Sequence, residues 1–382
     1  MDIDEVLTRG VAEILPSKDG LKKLMEGKKI TLYQGFDPSM PSLHLGNLVG
    51  VMKLRQFQKL GHKIIFLIGD FTGMIGDPSD KLAVRKQLTR EEVEKNYQTW
   101  VSQIKNLLDF EGENKVEIRK NSEWSDKITF KNLIQISSNF TVQQLIERDM
   151  YQQRLKRNEP IYMHEFLYPI AQGYDSVEMD VDLEIGGNDQ IFNMLAGRAL
   201  MRALKGKEKY VLATKLLTDK EGKKVGKTTG NALFLDSTPD NFFGGIMSFP
   251  DEAILPGFEL LTEVNLEGLP EKVNANPMEE KKHLAYEIVK LIWGEKDANE
   301  AKNTFEKTFQ EKAPTYDVKV DAGNNLAATI APYTSLKSMS DAKRYINQKS
   351  VDVNGTITTD PTYKIKSGDK IKVGEKVFLQ VK

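Results

Sequence analysis

The sequence predicts an α/β protein: a Rossmann-like, doubly wound parallel sheet with a helical insertion, then an α-helical domain and a small α+β domain. Three observations carry this reading. Two short apolar runs, Ile30–Gly35 and Ile64–Ile68, flank an amphipathic segment with Leu45, Leu48, Val49 and Met52 on one face, the pattern of a βαβ unit with buried parallel strands. Each run leads into a Gly- and Pro-rich corner, where open α/β sheets gather their ligand-binding loops. After Asp236 the pattern turns helical, and from residue 333 it switches again to short strands and Gly-containing turns.

In chain order, residues 1–29 read as polar and helical, punctuated by Gly10, Gly20 and Gly27. Strand Ile30–Gly35 follows. After Pro38 and Pro41, Ser42 is placed to cap a helix that opens at His44-Leu45-Gly46-Asn47 and ends at Gly61. Right-handed crossover puts this helix on one face of the sheet. The Gly69–Pro78 loop brings Asp77 near a strand's C-terminal end. Thr89-Arg90-Glu91-Glu92 is a capping box for a helix carrying Val93, Tyr97, Trp100, Val101, Ile104 and Leu108. A short strand at Val116–Ile118 precedes the helical insertion, residues 121–165. Ile161–Asp175 reads as a helix with a late proline, Pro169. From Val177 to Ile185 apolar and acidic residues alternate, predicting a strand with a charged face. Gly186 to Gln190 turns into a helix reaching about Leu204, and Val211–Ala213 is a last short strand.

The first domain is thus expected over 1–235 and a helical domain over 236–313, broken at Pro239, Pro250, Pro256, Pro270 and Pro277. A linker is expected over 314–332 and a third domain over 333–382. In the last, Asp341–Ile346 is a short basic helix and Asn354-Gly355 marks a hairpin turn.

At 382 residues the chain supports two or three domains. It contains no run of 18 apolar residues, so no membrane span is expected. The first residues lack both a signal peptide's apolar core and a transit peptide's Arg/Ser bias, and a cytoplasmic location is expected. The absence of cysteine excludes disulfides, thiolate zinc sites and a Cys nucleophile. His44, His62, His164 and His283 form no metal-spaced pair, so no zinc and no tightly bound cofactor are expected. The net charge of −1 is uneven: residues 333–382 hold ten Lys and Arg against five Asp and Glu, a +5 end on a −6 body. That distribution points to a polyanion contact at this end.

The start of the His44 helix offers unpaired N–H groups and a partial positive charge, which suit phosphate. Gly46 removes a side chain where a flat base can press on the backbone, and His44 and Asn47 add donors. Far downstream stands a polar loop, Lys224-Val225-Gly226-Lys227-Thr228. Its Gly-Lys-Thr is not the end of a Walker A loop: the first glycine belongs at position 221, occupied by Glu221, and no apolar helix follows.

With both stretches in this order, the chain resembles the class I aminoacyl-tRNA synthetases, whose ATP motifs read H-I-G-H and K-M-S-K-S. The flanking residues narrow the resemblance to the tyrosyl-tRNA synthetase family. The resemblance implies ATP as a substrate with Mg²⁺, tyrosine and tRNA(Tyr) as the other substrates, and a homodimer formed through the insertion. It implies catalytic roles for His44, Asn47, Lys224, Lys227 and Thr228, with Asp37, Gly46, Gly187 and Asp189 completing the ATP side. Tyr33 and Asp175, the latter in Tyr168-Pro169-Ile170-Ala171-Gln172-Gly173-Tyr174-Asp175, match residues that bond the tyrosine phenol. Tyr168, Gln172 and Asp77 match those that hold its ammonium group. Gln190 matches the adenosine-side loop and is assigned to the tyrosine pocket as well. Lys81 and Arg85 match basic residues of a loop beside the site. The tail resembles an S4 RNA-binding domain, with Lys343 and Arg344 as candidate tRNA contacts. The chain departs from the family's pattern at Asn47, in the fourth H-I-G-H position, and in K-V-G-K-T. It departs again at Gly50, where some relatives carry a threonine. Two rival readings are a tryptophanyl enzyme and a non-catalytic RNA-binding protein on the same scaffold.

Overall fold

The computed structural model describes residues 2–78, 87–218, 232–310, 316, 318–323, 325–334, 336–374 and 377–382. Among these, the chain divides into two compact units, one holding 2–218, 232–236 and 249–280, the other 237–248 and 281–382. The first contains a six-stranded sheet built from β1 (Val11–Leu15), β2 (Thr31–Phe36), β3 (Lys63–Ile68), β4 (Glu117–Lys120), β5 (Leu183–Gly187) and β6 (Tyr210–Thr214), in the order β1-β6-β5-β2-β3-β4. All neighbours are parallel except β1, which runs antiparallel to β6. The chain winds outward from β2 through β3 to β4, then returns to β5 on the other side of β2. This reversal is a topological switch point, where the loops after β2 and β5 diverge and leave a crevice. Across it, Leu32 is in register with Leu183 and Tyr33 with Glu184.

Around this sheet lie α1 (Lys18–Gly27), α2 (Leu45–Lys59), α3 (Met163–Glu178) and α4 (Ile191–Leu200). The α3–α4 crossing is close because both helices carry glycine there: a Cβ on Gly173 would lie 2.9 Å from the Gly197 nitrogen. Residues 249–280 join this unit instead of following the division expected at 236. The buried Arg9 guanidinium donates to the carbonyls of Phe258, Glu259, Thr262 and Val264 at 2.8–3.0 Å, satisfying acceptors at the end of helix Ile254–Leu261.

Several expectations are corrected. Residues 1–29 include β1, an edge strand whose mixed burial gives no period-two pattern; pairing with β6 overrides the polar sequence. Ser42 does not cap α2: its Oγ bonds Leu43 O and Gln103 Oε1, and His44 occupies the cap. The alternation from Val177 is not one strand. α3 continues through Glu178, Asp180 turns at φ 48°, and β5 begins only at Leu183. Pro239 and Pro277 open helices instead of breaking them, since a first-turn proline forfeits no intrahelical bond.

In the second unit, Phe242 meets Trp293 of α5 (Pro277–Trp293) edge-on at 5.1 Å, and Phe243 lies 5.5 Å from Phe305. A five-stranded sheet follows, formed by β7 (Val318–Val320), β8 (Val351–Val353), β9 (Thr356–Ile357), β10 (Lys370–Val373) and β11 (Val377–Val381) in the order β7-β11-β10-β8-β9. Asn354 and Gly355, at φ 53° and 80°, make the tight β8–β9 turn that Asn-Gly predicts. The described residues of the stretch expected as a linker, 314–332, contribute to this fold. Val320, Leu326, Ala327 and Ile330 share one core with Ile371 and Leu379, and with Ala342 and Ile346 of the helix Met339–Asn347, here α6. Among the described residues, no helix is long and apolar enough to cross a membrane.

The α3–α4 crossing yields a test of opposite signs. A Cβ at Gly173 meets backbone, which cannot swing away, so Gly173→Ala should lower the denaturation midpoint by about 1–3 kcal/mol of stability. Gly27 closes α1 with nothing within 4 Å of its added Cβ, so Gly27→Ala should raise it by up to about 1 kcal/mol. Equal shifts in urea titrations of the two variants would contradict the packing described.

Candidate active site

A cavity of about 230 Å³ lies in the first unit at the switch point. Its upper wall is the first turn of α2. The His44 Nδ1 accepts the Asn47 backbone N–H at 3.3 Å, while Asn47 Oδ1 accepts the His44 N–H at 3.0 Å, a reciprocal capping box. With Nδ1 an acceptor, the imidazole proton belongs on Nε2. Gly46 makes room for this fold-back: a Cβ there would stand 2.9 Å from the imidazole. His44, Gly46 and Asn47 all line the cavity. Gln34, alternating to the face opposite Tyr33, fills the space over Gly50, where a Cβ would come within 2.2 Å of its Oε1.

The floor carries the pair expected to meet a phenol. The fully buried Tyr33 hydroxyl bonds Ser176 Oγ at 2.9 Å. Asp175, 2% exposed, accepts Trp124 Nε1–H at 2.8 Å and Asn121 Nδ2–H at 3.2 Å. Asn121 is itself pinned, accepting the Phe71 N–H at 2.8 Å and donating to Thr72 Oγ1 at 3.0 Å. Burial pushes the Asp175 carboxyl well above the usual carboxylate range, against the two donors that pull it down; the charges of Glu184 and Asp37 add to the rise. Burial, then the charges of Glu184 and Asp175, likewise hold the Tyr33 phenol far up.

Between floor and wall lie the remaining polar groups. Asp37 accepts from Tyr168 OH at 2.8 Å and Thr72 Oγ1 at 2.7 Å, beside Gly69, whose added Cβ would strike it. Burial and the neighbouring Asp37 push the Tyr168 phenol up. Gln190 Nε2 donates to Asp77 Oδ2 at 2.7 Å, and Gln172 Nε2 to Glu184 Oε1 at 2.9 Å. Gly187 and Asp189 border the same space; a Cβ on Gly187 would lie 2.5 Å from Asp189 Oδ1.

The fold thus gathers Tyr33, Asp37, His44, Gly46, Asn47, Asp77, Tyr168, Gln172, Asp175, Gly187, Asp189 and Gln190 around one cavity, although 157 positions separate the first from the last. Lys81, Arg85, Lys224, Lys227 and Thr228 lie outside the described residues. The flanks of the second lysine stretch are described: Leu217 lines the cavity, and Leu233 and Leu235 exchange backbone bonds with Leu45 and Leu43. Lys343 and Arg344 are exposed on α6, in the second unit. No cluster of three or more potential metal ligands occurs among the described residues. Sequence reasoning missed Asn121, Trp124, Thr72, Ser176, Glu184 and Lys209. The first two open a helical stretch without periodic signal, and Glu184 was hidden in the apolar–acidic alternation.

A parallel sheet with its crevice at the switch point, topped by a capped helix start, is the architecture in which α/β proteins of the doubly wound class hold their ligands. The family model for class I tRNA synthetases for tryptophan and tyrosine matches residues 25–310, and the chain belongs to that family. Its full-length relatives narrow the placement. Tyrosine–tRNA ligases of Carboxydothermus hydrogenoformans and Aquifex aeolicus are 40% and 38% identical, over 99% and 98% of this chain and 97% of each relative. Within its class the chain therefore belongs with the tyrosine–tRNA ligases. A C-terminally truncated mitochondrial tyrosyl-tRNA synthetase of Coccidioides posadasii superposes with a TM-score of 0.65 at 26% identity, covering 79% of this chain and 90% of that one. The synthetase of Archaeoglobus fulgidus, solved with L-tyrosine, shares the fold at a TM-score of 0.60 and 20% identity, over 79% of this chain and 100% of that one.

The buried carboxyl predicts a pH signature. A folded-state pKa above the unfolded value near 3.9 favours the fold fully below about pH 4, and the benefit is lost as pH rises toward the folded value. The urea midpoint of Asp175→Asn should therefore gain on that of the wild type between about pH 4 and 8. A difference that is flat, or that runs the other way, would show that burial does not raise this group.

Proposed function

We propose that this chain activates L-tyrosine with ATP, forming tyrosyl-adenylate and pyrophosphate, and then transfers the tyrosyl group to the 3′ end of tRNA(Tyr). The observation that carries the reading is the buried floor of the cavity, where Tyr33 and Asp175 offer polar atoms to the far end of an amino-acid side chain. A carboxylate oxygen holds two lone pairs, so Asp175 can keep Trp124 and Asn121 and still accept a phenol proton. Phenylalanine would bring no donor to that remaining lone pair, and tryptophan no hydroxyl, a discrimination for which tyrosine-specific synthetases are themselves the standard illustration.

The tyrosine carboxylate is ionised at neutral pH and attacks the α-phosphorus without a general base. A carboxylate O–P bond forms as the bond to pyrophosphate breaks. The task left to the protein is positioning and charge neutralisation. His44 Nε2–H and the first-turn amides of α2 suit the phosphates, and the family resemblance assigns the same task to Lys224, Lys227 and Thr228, with Lys81 and Arg85 as further basic groups. Asp37, Gly46, Asn47, Gly187 and Asp189 suit the nucleoside; Asp77, Tyr168, Gln172 and Gln190 suit the ammonium end of tyrosine. Mg²⁺ fits as the counter-ion of ATP, ligated chiefly by phosphate oxygens and water. In the second step the terminal ribose hydroxyl attacks the activated carbonyl and AMP departs.

The helical stretch from 236 suits the anticodon side of tRNA, and the basic, S4-like terminal fold with exposed Lys343 and Arg344 suits its backbone. The insertion exposes Phe130, Ile134 and Val142, at 78%, 56% and 67%, which supports homodimer formation through that surface. A cytoplasmic setting accords with the composition.

Pyrophosphate exchange measured with tyrosine, tryptophan and phenylalanine in turn should proceed with tyrosine alone. Asp175→Ala should raise the tyrosine KM by the equivalent of about 1.5–3 kcal/mol with the ATP KM little changed. Equal exchange with tryptophan, or an unaltered tyrosine KM, would refute the floor assignment.

Removing residues 316–382, which takes the whole terminal sheet and its core, should leave that exchange nearly intact while aminoacylation falls through tRNA KM. Each lost phosphate contact should flatten the log–log salt dependence of tRNA binding by roughly 0.7–0.9 units. Charging undiminished at every salt concentration would remove this fold from the tRNA interface.

A further inference from the structure

We infer that Glu184 is a positioning residue for substrate recognition: clamped by Lys209, it orients the Gln172 amide so that Gln172 Oε1 presents a fixed acceptor to the ammonium group of tyrosine. The inference rests on the reading of Gln172 as an ammonium contact and adds the device that sets it.

Glu184 stands on β5 in register with Tyr33 of β2 across the switch point, and both side chains are buried. Lys209, 0% exposed, enters from just before β6 and pairs with Glu184 Oε2. Its ammonium also donates to Ser176 Oγ and Met194 O, each at 3.0 Å, so all three of its protons are engaged inside the protein. Gly197 leaves the space for this group, since a Cβ there would lie 2.5 Å from Lys209 Nζ and 2.8 Å from Ser176 Oγ.

The remaining oxygen, Glu184 Oε1, accepts Gln172 Nε2–H at 2.9 Å. With Lys209 donating to its other oxygen, Glu184 takes the acceptor's part toward Gln172, so the Gln172 amide turns its NH₂ toward Glu184 and its oxygen away. That oxygen is buried, has no partner in the protein and belongs to a residue lining the cavity. It awaits a donor, and an ammonium is the donor an amino acid brings. A neutral glutamine at 184 would accept either end of the Gln172 amide and leave its direction undetermined. The same ion pair reaches the phenol end, because Ser176 Oγ bonds both Lys209 and the Tyr33 hydroxyl.

The test compares three ligands: L-tyrosine, tyramine, which lacks the carboxylate, and 3-(4-hydroxyphenyl)propionate, which lacks the ammonium. In the full-length chain, the double variant Glu184→Gln, Lys209→Met removes both buried charges together, avoiding an unpaired one. Dissociation constants for tyrosine and tyramine should rise about ten-fold or more beyond any rise in that of the propionate, which shares the phenol contacts but brings no ammonium. Glu184→Asp, which keeps the charge but shortens the arm to Gln172, should give the same selective pattern and serves if the double variant does not fold. Parallel weakening of all three ligands, or of none, would overturn the proposal. Gln172→Ala separates the two layers. Selective loss there without selective loss at Glu184 defeats the positioning role alone. No selective loss in Gln172→Ala defeats the ammonium reading beneath it.

Discussion

A carboxyl group buried at the bottom of a pocket must be supplied with donors, and much of the first unit is arranged to supply them. Asp175 receives one from Trp124 and one from Asn121, and Asn121 is itself held by Phe71 and Thr72. Thr72 in turn bonds Asp37, which also holds Tyr168. A single chain of hydrogen bonds therefore runs from the floor to the rim, drawing on the loops after β2, β3 and β4 and on α3. Desolvation still leaves the Asp175 carboxyl raised, so the site keeps a group whose ionisation opposes folding, which suits the recognition role proposed for it.

The rim works by a different economy of parts. His44 and Asn47 cap α2 with their own side chains, so two of the first-turn polar groups are satisfied from within the turn. The same residues face the cavity. One four-residue stretch thus fixes the entry of the chain into the helix and orders the donors of the wall, and Gly46 is the gap that lets the imidazole lie back over the turn.

Most of the fold could be read from the chain because its signals are local. The buried runs of β2 and β3, the Thr89 capping box and the Asn354-Gly355 turn all depend on neighbouring residues. The elements that escaped depend on distant partners. β1 exists because β6 lies beside it, and Val320 and Leu326 read as linker until the terminal core forms around them. The site divides the same way. Residues set in short motifs, such as His44, Asn47, Gln172 and Asp175, could be named from sequence. Asn121, Trp124, Glu184 and Lys209 could not, since each matters through a contact spanning 25 to 54 positions.

The terminal sheet ends in β7 and β9, three and two residues long. Strands so short offer an incoming backbone almost no ladder to extend, which protects the fold against edge-to-edge aggregation. Self-association of this chain is thereby steered away from strand addition and toward side-chain surfaces.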